Sequence, residues 1–132
     1  MNLDPRSERN LQGVHPDLVS VVRRAAVLMA ERGDGLGFVV TEGRRTTMRQ
    51  AELVKAGASR TMNSRHMTGH AVDLAATVGG EVRWDWSLYR TLAGVIKEVA
   101  KERGGIPLVW GGDWKSFPDG PHFELDRLAY PA

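Results

Sequence analysis

Hydrophobic and polar positions follow two rhythms along this chain, one helical and one alternating, and each predicts elements. Val19, Val22, Ala26 and the pair Met29-Ala30 recur at helical spacing, which predicts an amphipathic helix. It should start near Pro16, whose missing N–H suits a first turn, and stop at Gly33. Leu88, Leu92, Val95, Ile96 and Val99 form a second apolar stripe. It predicts a helix over 87–103, with Lys97, Glu98, Lys101, Glu102 and Arg103 on a face that is simply solvated. Shorter helices are expected over 7–12, capped by Ser7 and broken at Gly13, and from Thr46 or Thr47 to about 56.

Strand signals lie between these helices. Leu36-Gly37-Phe38-Val39-Val40-Thr41 is apolar and β-branched, as a strand requires. Residues 70–76 read as another strand, in which Ala71, Asp73 and Ala75 share one face and His70, Val72 and Leu74 the other. Val78-Gly79-Gly80-Glu81-Val82 has the form of a tight hairpin. Leu108-Val109-Trp110 is a short strand after the Gly104-Gly105 stop, and His122-Phe123-Glu124-Leu125 alternates again. The fold class expected is α+β: a small antiparallel sheet with helices packed to one side. At 132 residues, without repeat, low-complexity tract or linker, one domain is expected.

Composition narrows the picture. Hydrophobic residues at 42% and charged residues at 26% exclude a disordered chain. The absence of cysteine excludes disulfides and thiolate-bound zinc, which leaves metal binding to the four histidines and the carboxylates. Met1 is followed by polar residues and no run reaches ~20 apolar positions, so neither a signal peptide nor a membrane span is expected. A net charge of +2 without a clustered basic stripe argues against a nucleic-acid partner. A monomer is expected.

The candidate chemistry concentrates in Ser64-Arg65-His66-Met67-Thr68-Gly69-His70-Ala71-Val72-Asp73. An aspartate on a small apolar strand is costly unless it is paired or bound to a cation. His66 can fold back over Gly69 to meet Asp73, and His122 is the best third ligand. Two histidines and one carboxylate make a known catalytic zinc set with a fourth position left for water. A second carboxylate outside the ligand set can serve as general base. Asp119 is placed for that, although Pro118-Asp119-Gly120 also suits a plain type I turn. Glu124 would share a strand face with His122 and could orient it. His15 is expected to cap a helix or pack, Ser59 and Thr61 to bond within their loop, and Trp84 and Trp86 to pack at core or rim. Residues 127–132 carry no signal.

Ser64-x-His66-x-x-Gly69-x-Ala71-x-Asp73 followed by Asp119-x-x-His122 resembles the zinc peptidases that include D-alanyl-D-alanine carboxypeptidases and phage L-alanyl-D-glutamate endopeptidases. Their fold is shared with the hedgehog signalling domain. The resemblance extends through Gly13-Val14-His15-Pro16-Asp17-Leu18, Glu42-Gly43-Arg44-Arg45-Thr46 and Trp110-Gly111-Gly112-Asp113-Trp114. It implies one Zn2+ on His66, Asp73 and His122, Asp119 as base, and Arg45 in the active site, with Arg44 as its spare. A guanidinium there would hold a substrate carboxylate or carbonyl through a planar pair of donors. Ser64 would support the substrate side or orient a ligand. Carboxypeptidase members carry Glu where this chain has Asp119, so the endolysin branch is implied. That means cleavage between L-alanine and D-glutamate of peptidoglycan stem peptides and host lysis, without a separate wall-binding domain. The enzyme would wait in the host cytoplasm until the membrane is permeabilised. D-alanyl-D-alanine cleavage and a catalytically inactive zinc-bound module are the alternatives.

Overall fold

The computed structural model describes residues 3–59, 61, 62 and 64–131. Helix α1 (Pro5–Asn10) leads to α2 (Pro16–Arg32), strand β1 (Leu36–Glu42) and α3 (Thr47–Lys55). A 3-10 turn (Arg65–Thr68) then precedes β2 (Ala71–Val78), β3 (Glu81–Val82) and α4 (Trp86–Glu102). The chain ends through β4 (Leu108–Trp110), a second 3-10 turn (Gly111–Asp113) and β5 (His122–Leu125). The sheet order is β1-β2-β5-β4, every pair antiparallel, with β3 added to β2. The expected α+β architecture is what forms.

One side of the sheet supplies the core. Val40, Val72, Leu74, Phe123 and Leu125 are buried there with Leu18 and Val22 of α2 and Leu92, Ile96 and Val99 of α4. Burying each such side chain is worth about 1.5–3 kcal/mol. Alternation then turns Ala71, Asp73 and Ala75 of β2 to the other side. The α4 stripe serves as predicted, whereas α2 buries Leu18, Val21, Val22, Ala25 and Met29 and leaves Val19 and Ala26 half-buried and Ala30 exposed. Helix α3 is capped by Thr46, whose hydroxyl accepts from Arg49 N at 3.1 Å. His15 caps α2, its Nδ1 accepting from Asp17 N at 3.1 Å.

Two expectations need correction. Ser7 does not cap the first helix: Asp4 does, directly before Pro5, and the helix ends at Asn10. Ser7 is instead buried, its hydroxyl donating to the Asp4 carboxylate and accepting from Val40 N at 2.9 Å, which fastens α1 to β1. Lys97 is not merely solvated. Its Nζ lies 2.6 Å from Asp113 and 5.5 Å from the centre of the Trp110 ring. The indole rims behave as expected, Trp84 stacking on buried Tyr89 and Trp86 meeting Trp110 edge-on. Of the loop over 57–63, Arg60 and Asn63 lie outside the described residues.

Candidate metal centre and active site

Strand register builds the centre. Asp73 lies directly opposite His122 on β5 and opposite Glu42 on β1, so three polar side chains stand in a row on the face away from α2 and α4. The β1 bulge between Val40 and Glu42 sets the last of these. His66 comes from the 3-10 turn. Ser64 caps that turn through its hydroxyl, which accepts from His66 N at 3.3 Å. Gly69 closes it at φ +80°, where a β-carbon would stand 2.3 Å from Gly13 O. Only glycine allows that docking.

Hydrogen bonds decide which nitrogen each imidazole presents. His66 Nδ1 is 2.9 Å from the Gly43 carbonyl, which can only accept, so Nδ1 carries the proton and Nε2 faces Asp73 Oδ1 at 3.2 Å. His122 does the reverse. Its Nε2 meets Glu124 Oε1 at 2.8 Å, and Nδ1 lies 3.4 Å from Asp73 Oδ1. Ligand atoms of His66, Asp73 and His122 all fall within 4.8 Å of one another. Ligands about 2.0–2.1 Å from a tetrahedral zinc stand roughly 3.3 Å apart, so the two histidine–aspartate spacings fit the ion.

The electrostatics follow from the close approach of these buried groups. Burial works against charge on Asp73, but hydrogen bonds from His122 and His66 outweigh it and hold the carboxyl well below its usual range. Burial also opposes charge on His122, yet hydrogen bonds to Asp73 and Glu124 raise its pKa to about 9. Glu124 is lowered, burial being overcome by its bond to His122 and by Arg127. Asp119 moves the other way: burial, helped by the charge of Asp73, pushes it up against the pull of His122, His66 and Arg45. That is the direction a general base needs.

Asp119 does more than turn the chain. Its N donates to Gly111 O at 3.0 Å, and His122 N donates to Asp119 O at 3.3 Å. A β-carbon on Gly111 would lie 2.4 Å from Asp119 O and 2.9 Å from His122 Cβ, so glycine there lets the loop close on β5. Asp119, His66, Asp73 and His122 line one cavity of about 310 Å³.

Arg45 also lines it, buried and tightly held. Nε and Nη2 form a fork on Glu42 at 2.7 and 2.8 Å, Nη1 donates to Gln50 at 2.7 Å, and Nη2 reaches Asp73 Oδ2 at 3.6 Å. Arg44 is exposed, its stem lying where a Gly13 β-carbon would be, and is not among the described lining residues. Ser64 lines the cavity while capping the His66 turn. His70 stays out of the centre, its Nδ1 2.7 Å from Thr68 Oγ1.

Sequence reasoning passed over several contributors. Glu42 and buried Gln50 fix Arg45, and Gln50 Nε2 also donates to Ser59 Oγ at 2.8 Å. Arg65 is buried inside the histidine motif and donates to Leu125 O and Tyr130 O at 3.2 and 2.6 Å. Trp114 places its ring 5.0 Å from that of His122. Arg127, in the terminal stretch read as silent, lines the cavity and meets Glu124 at 3.5 Å. Glu42, Arg65 and Trp114 lay inside the quoted motifs without a role of their own, whereas Gln50 and Arg127 left no signal.

A family model described as phage L-alanyl-D-glutamate peptidase matches residues 1–130. The chain is 39% identical over 97 residues to the L-alanyl-D-glutamate peptidase of Listeria phage A118, covering 74% of this chain and 33% of that protein. With the enzyme of the same name from Escherichia phage T5 it shares 32% identity over 128 residues, covering 94% and 88%. The chain thus spans about a third of the first relative and most of the second. Among solved structures, the Serratia marcescens L-Ala D-Glu endopeptidase ChiX superposes with a TM-score of 0.87 at 48% identity, over 100% of this chain and 95% of that one. The D,D-pentapeptidase VanY in complex with Zn(II) shares the fold at a TM-score of 0.51 and 19% identity, over 93% and 72%.

Proposed function

The chain belongs to the phage L-alanyl-D-glutamate peptidase family, and from that premise we propose that it is a zinc-dependent peptidoglycan peptidase cutting the L-alanyl-D-glutamate bond of stem peptides. The observation that carries this is the convergence of His66, Asp73 and His122 in one cavity with an Asp119 of raised pKa.

His66 Nε2, Asp73 and His122 Nδ1 would hold zinc, which when bound polarises a carbonyl and acidifies water in the site. Asp119 takes the proton of the attacking water as the C–O bond forms, then passes it to the leaving glutamate nitrogen as the C–N bond breaks. Its raised pKa keeps it basic enough to accept and acidic enough to return that proton. Arg45 sets a fixed positive charge beside Asp73 for the scissile carbonyl as that oxygen gains charge. Glu42 and Gln50 spend most of its donors on holding it still. Ser64 acts through the His66 turn, and Arg44 takes no part.

Digesting purified muropeptides and weighing the products tests the reading. New termini at L-alanine and D-glutamate are expected; release of terminal D-alanine alone would assign a carboxypeptidase instead, and no release an inactive binding module. Asp119→Asn should keep fold and zinc while turnover falls by about 10²–10⁴-fold. Near-normal turnover would leave Asp119 a turn residue.

No helix among the described residues is long and apolar enough to cross a membrane. The biological role that fits the family is host lysis, the enzyme waiting in the cytoplasm until the inner membrane opens. Cells expressing it alone should stay intact and lyse on permeabilisation.

A further inference from the structure

The reaction above leaves one part of its substrate unaccounted for. Glutamate has two carboxyl groups and at most one continues the chain, so an unmodified glutamate leaves a free carboxylate near the bond to be cut. A buried site that accepts such an anion must offer it a cation with donors to spare.

Three arginines line the cavity among the described residues. Arg45 is committed to Glu42, Gln50 and Asp73. Arg65 is 4% exposed and turned into the protein, donating to Leu125 O and Tyr130 O. Its Nε stays without a hydrogen-bond partner, 4.0 Å from Glu124. Arg127 differs from both. Its side chain is 59% exposed, and only Nε is engaged, at 3.5 Å from Glu124 Oε2. Glu124 in turn holds His122, so this guanidinium stands two hydrogen bonds from the metal centre.

Arg127 also marks a junction. Together with Ser64 and Arg65 it lines a second cavity of about 480 Å³, bounded further by Met62, Met67 and Pro131. Ser64, Arg65 and Arg127 are thus the wall that the two cavities share.

Resting on the endopeptidase reading, we propose that Arg127 binds the free carboxylate of the substrate's glutamate and that the second cavity receives the chain beyond it. The assignment follows from charge complementarity and from the place of Arg127 in the wall shared by the two cavities. It also fixes the direction of binding: the glutamate side lies towards Arg127 and the alanine side towards Arg45. Glu124 is offset by the two guanidinium groups beside it, Arg65 Nε at 4.0 Å and Arg127 Nε at 3.5 Å.

The test compares two synthetic peptides, N-acetyl-L-alanyl-D-glutamyl-L-lysine joined through the γ-carboxyl, and the same peptide with only the glutamate α-carboxylate amidated. The wild-type enzyme should prefer the carboxylate form by about 10- to 100-fold in kcat/KM, the worth of one charge-assisted hydrogen-bonded contact. Arg127→Gln should bring the ratio of kcat/KM between the two peptides towards one, chiefly by slowing the carboxylate peptide; Arg127→Lys should retain part of the preference. A preference that survives in Arg127→Gln, or no preference in the wild type, overturns the proposal and leaves the endopeptidase reading intact. If the wild type cuts neither peptide at the alanine–glutamate bond while cutting terminal D-alanine, the endopeptidase reading itself falls, and this inference with it.

Discussion

The two histidines of the candidate metal centre face Asp73 from different supports. His66 sits on a 3-10 turn and is aimed by a backbone carbonyl, that of Gly43. His122 sits on a strand and is aimed by a carboxylate, that of Glu124. The first support is neutral and depends on the path of the chain, with His15 N donating to Gly69 O at 2.7 Å and Arg45 N to His66 O at 2.8 Å. The second is charged and resides in one side chain. One arm is therefore set by backbone geometry, whereas the other can be retuned by pH or by a single substitution.

The largest effect should come from removing either imidazole. His66→Ala and His122→Ala should each lower zinc from roughly one per chain to near none and cut activity by more than about 10³-fold. Stability should separate them. Each variant takes a hydrogen bond from a buried acceptor, at about 1–3 kcal/mol, and the loss should be larger for the charged Glu124 in His122→Ala than for the Gly43 carbonyl in His66→Ala. Elemental analysis and thermal melts of both variants check this, and equal melting temperatures without metal would erase the distinction drawn between the arms.

How far the sequence revealed this arrangement depended on whether the signal was local. The helices of 16–33 and 87–103 and the strand faces around Asp73 were legible because periods of 3.6 and 2 are written into neighbouring residues. That His66, Asp73, His122 and Asp119 would meet was legible because few residue types can bind metal or move protons, and the structure gathers them around one cavity. The Asp4 cap was also written locally, since Pro5 suits the first helical position, but Ser7 offered the same cap chemistry and displaced it. Gln50 and Arg127 were not legible at all. Their roles arise when α3 meets the loop at Ser59 and when the end of β5 returns beside Ser64 and Arg65, and neither contact has a sequence period. Lys97 likewise found Asp113 only through the packing of α4 beside the second 3-10 turn.

A smaller effect isolates the charged arm. Glu124→Gln keeps a side chain of the same size within reach of His122 Nε2 but removes the negative charge. Partners that orient metal-bound histidines are typically worth 10–100-fold in metal affinity. Zinc competition against a chelator should therefore show affinity weakened by about that factor, with the fold retained. The carbonyl supporting His66 is untouched, so binding should weaken without vanishing. Unchanged affinity would make Glu124 a packing residue and return the two arms to equivalence.

The smallest expected effect is on stability against pH in the metal-free protein. His122 has a folded-state pKa of about 9 against an ordinary 6.5. The folded protein thus binds this proton more tightly than the unfolded chain does, and the resulting stabilisation is fully present below about pH 6.5 and lost as pH rises through about 9. Asp73 acts with the opposite sign: its pKa is depressed from 3.8, so its stabilisation is present above that value and fades in stronger acid. Zinc-stripped protein should therefore melt at least about 4 °C lower at pH 10 than at pH 7, given that ~1 kcal/mol shifts a domain of this size by several degrees. In Glu124→Gln the drop should shrink, because one of the two carboxylates holding the proton is gone. Zinc requires the neutral imidazole, so metal affinity should rise over the interval in which metal-free stability falls. A metal-free melt that is flat from pH 7 to 10, or equally steep in Glu124→Gln, would show that the carboxylate does not distinguish the His122 arm from the His66 arm.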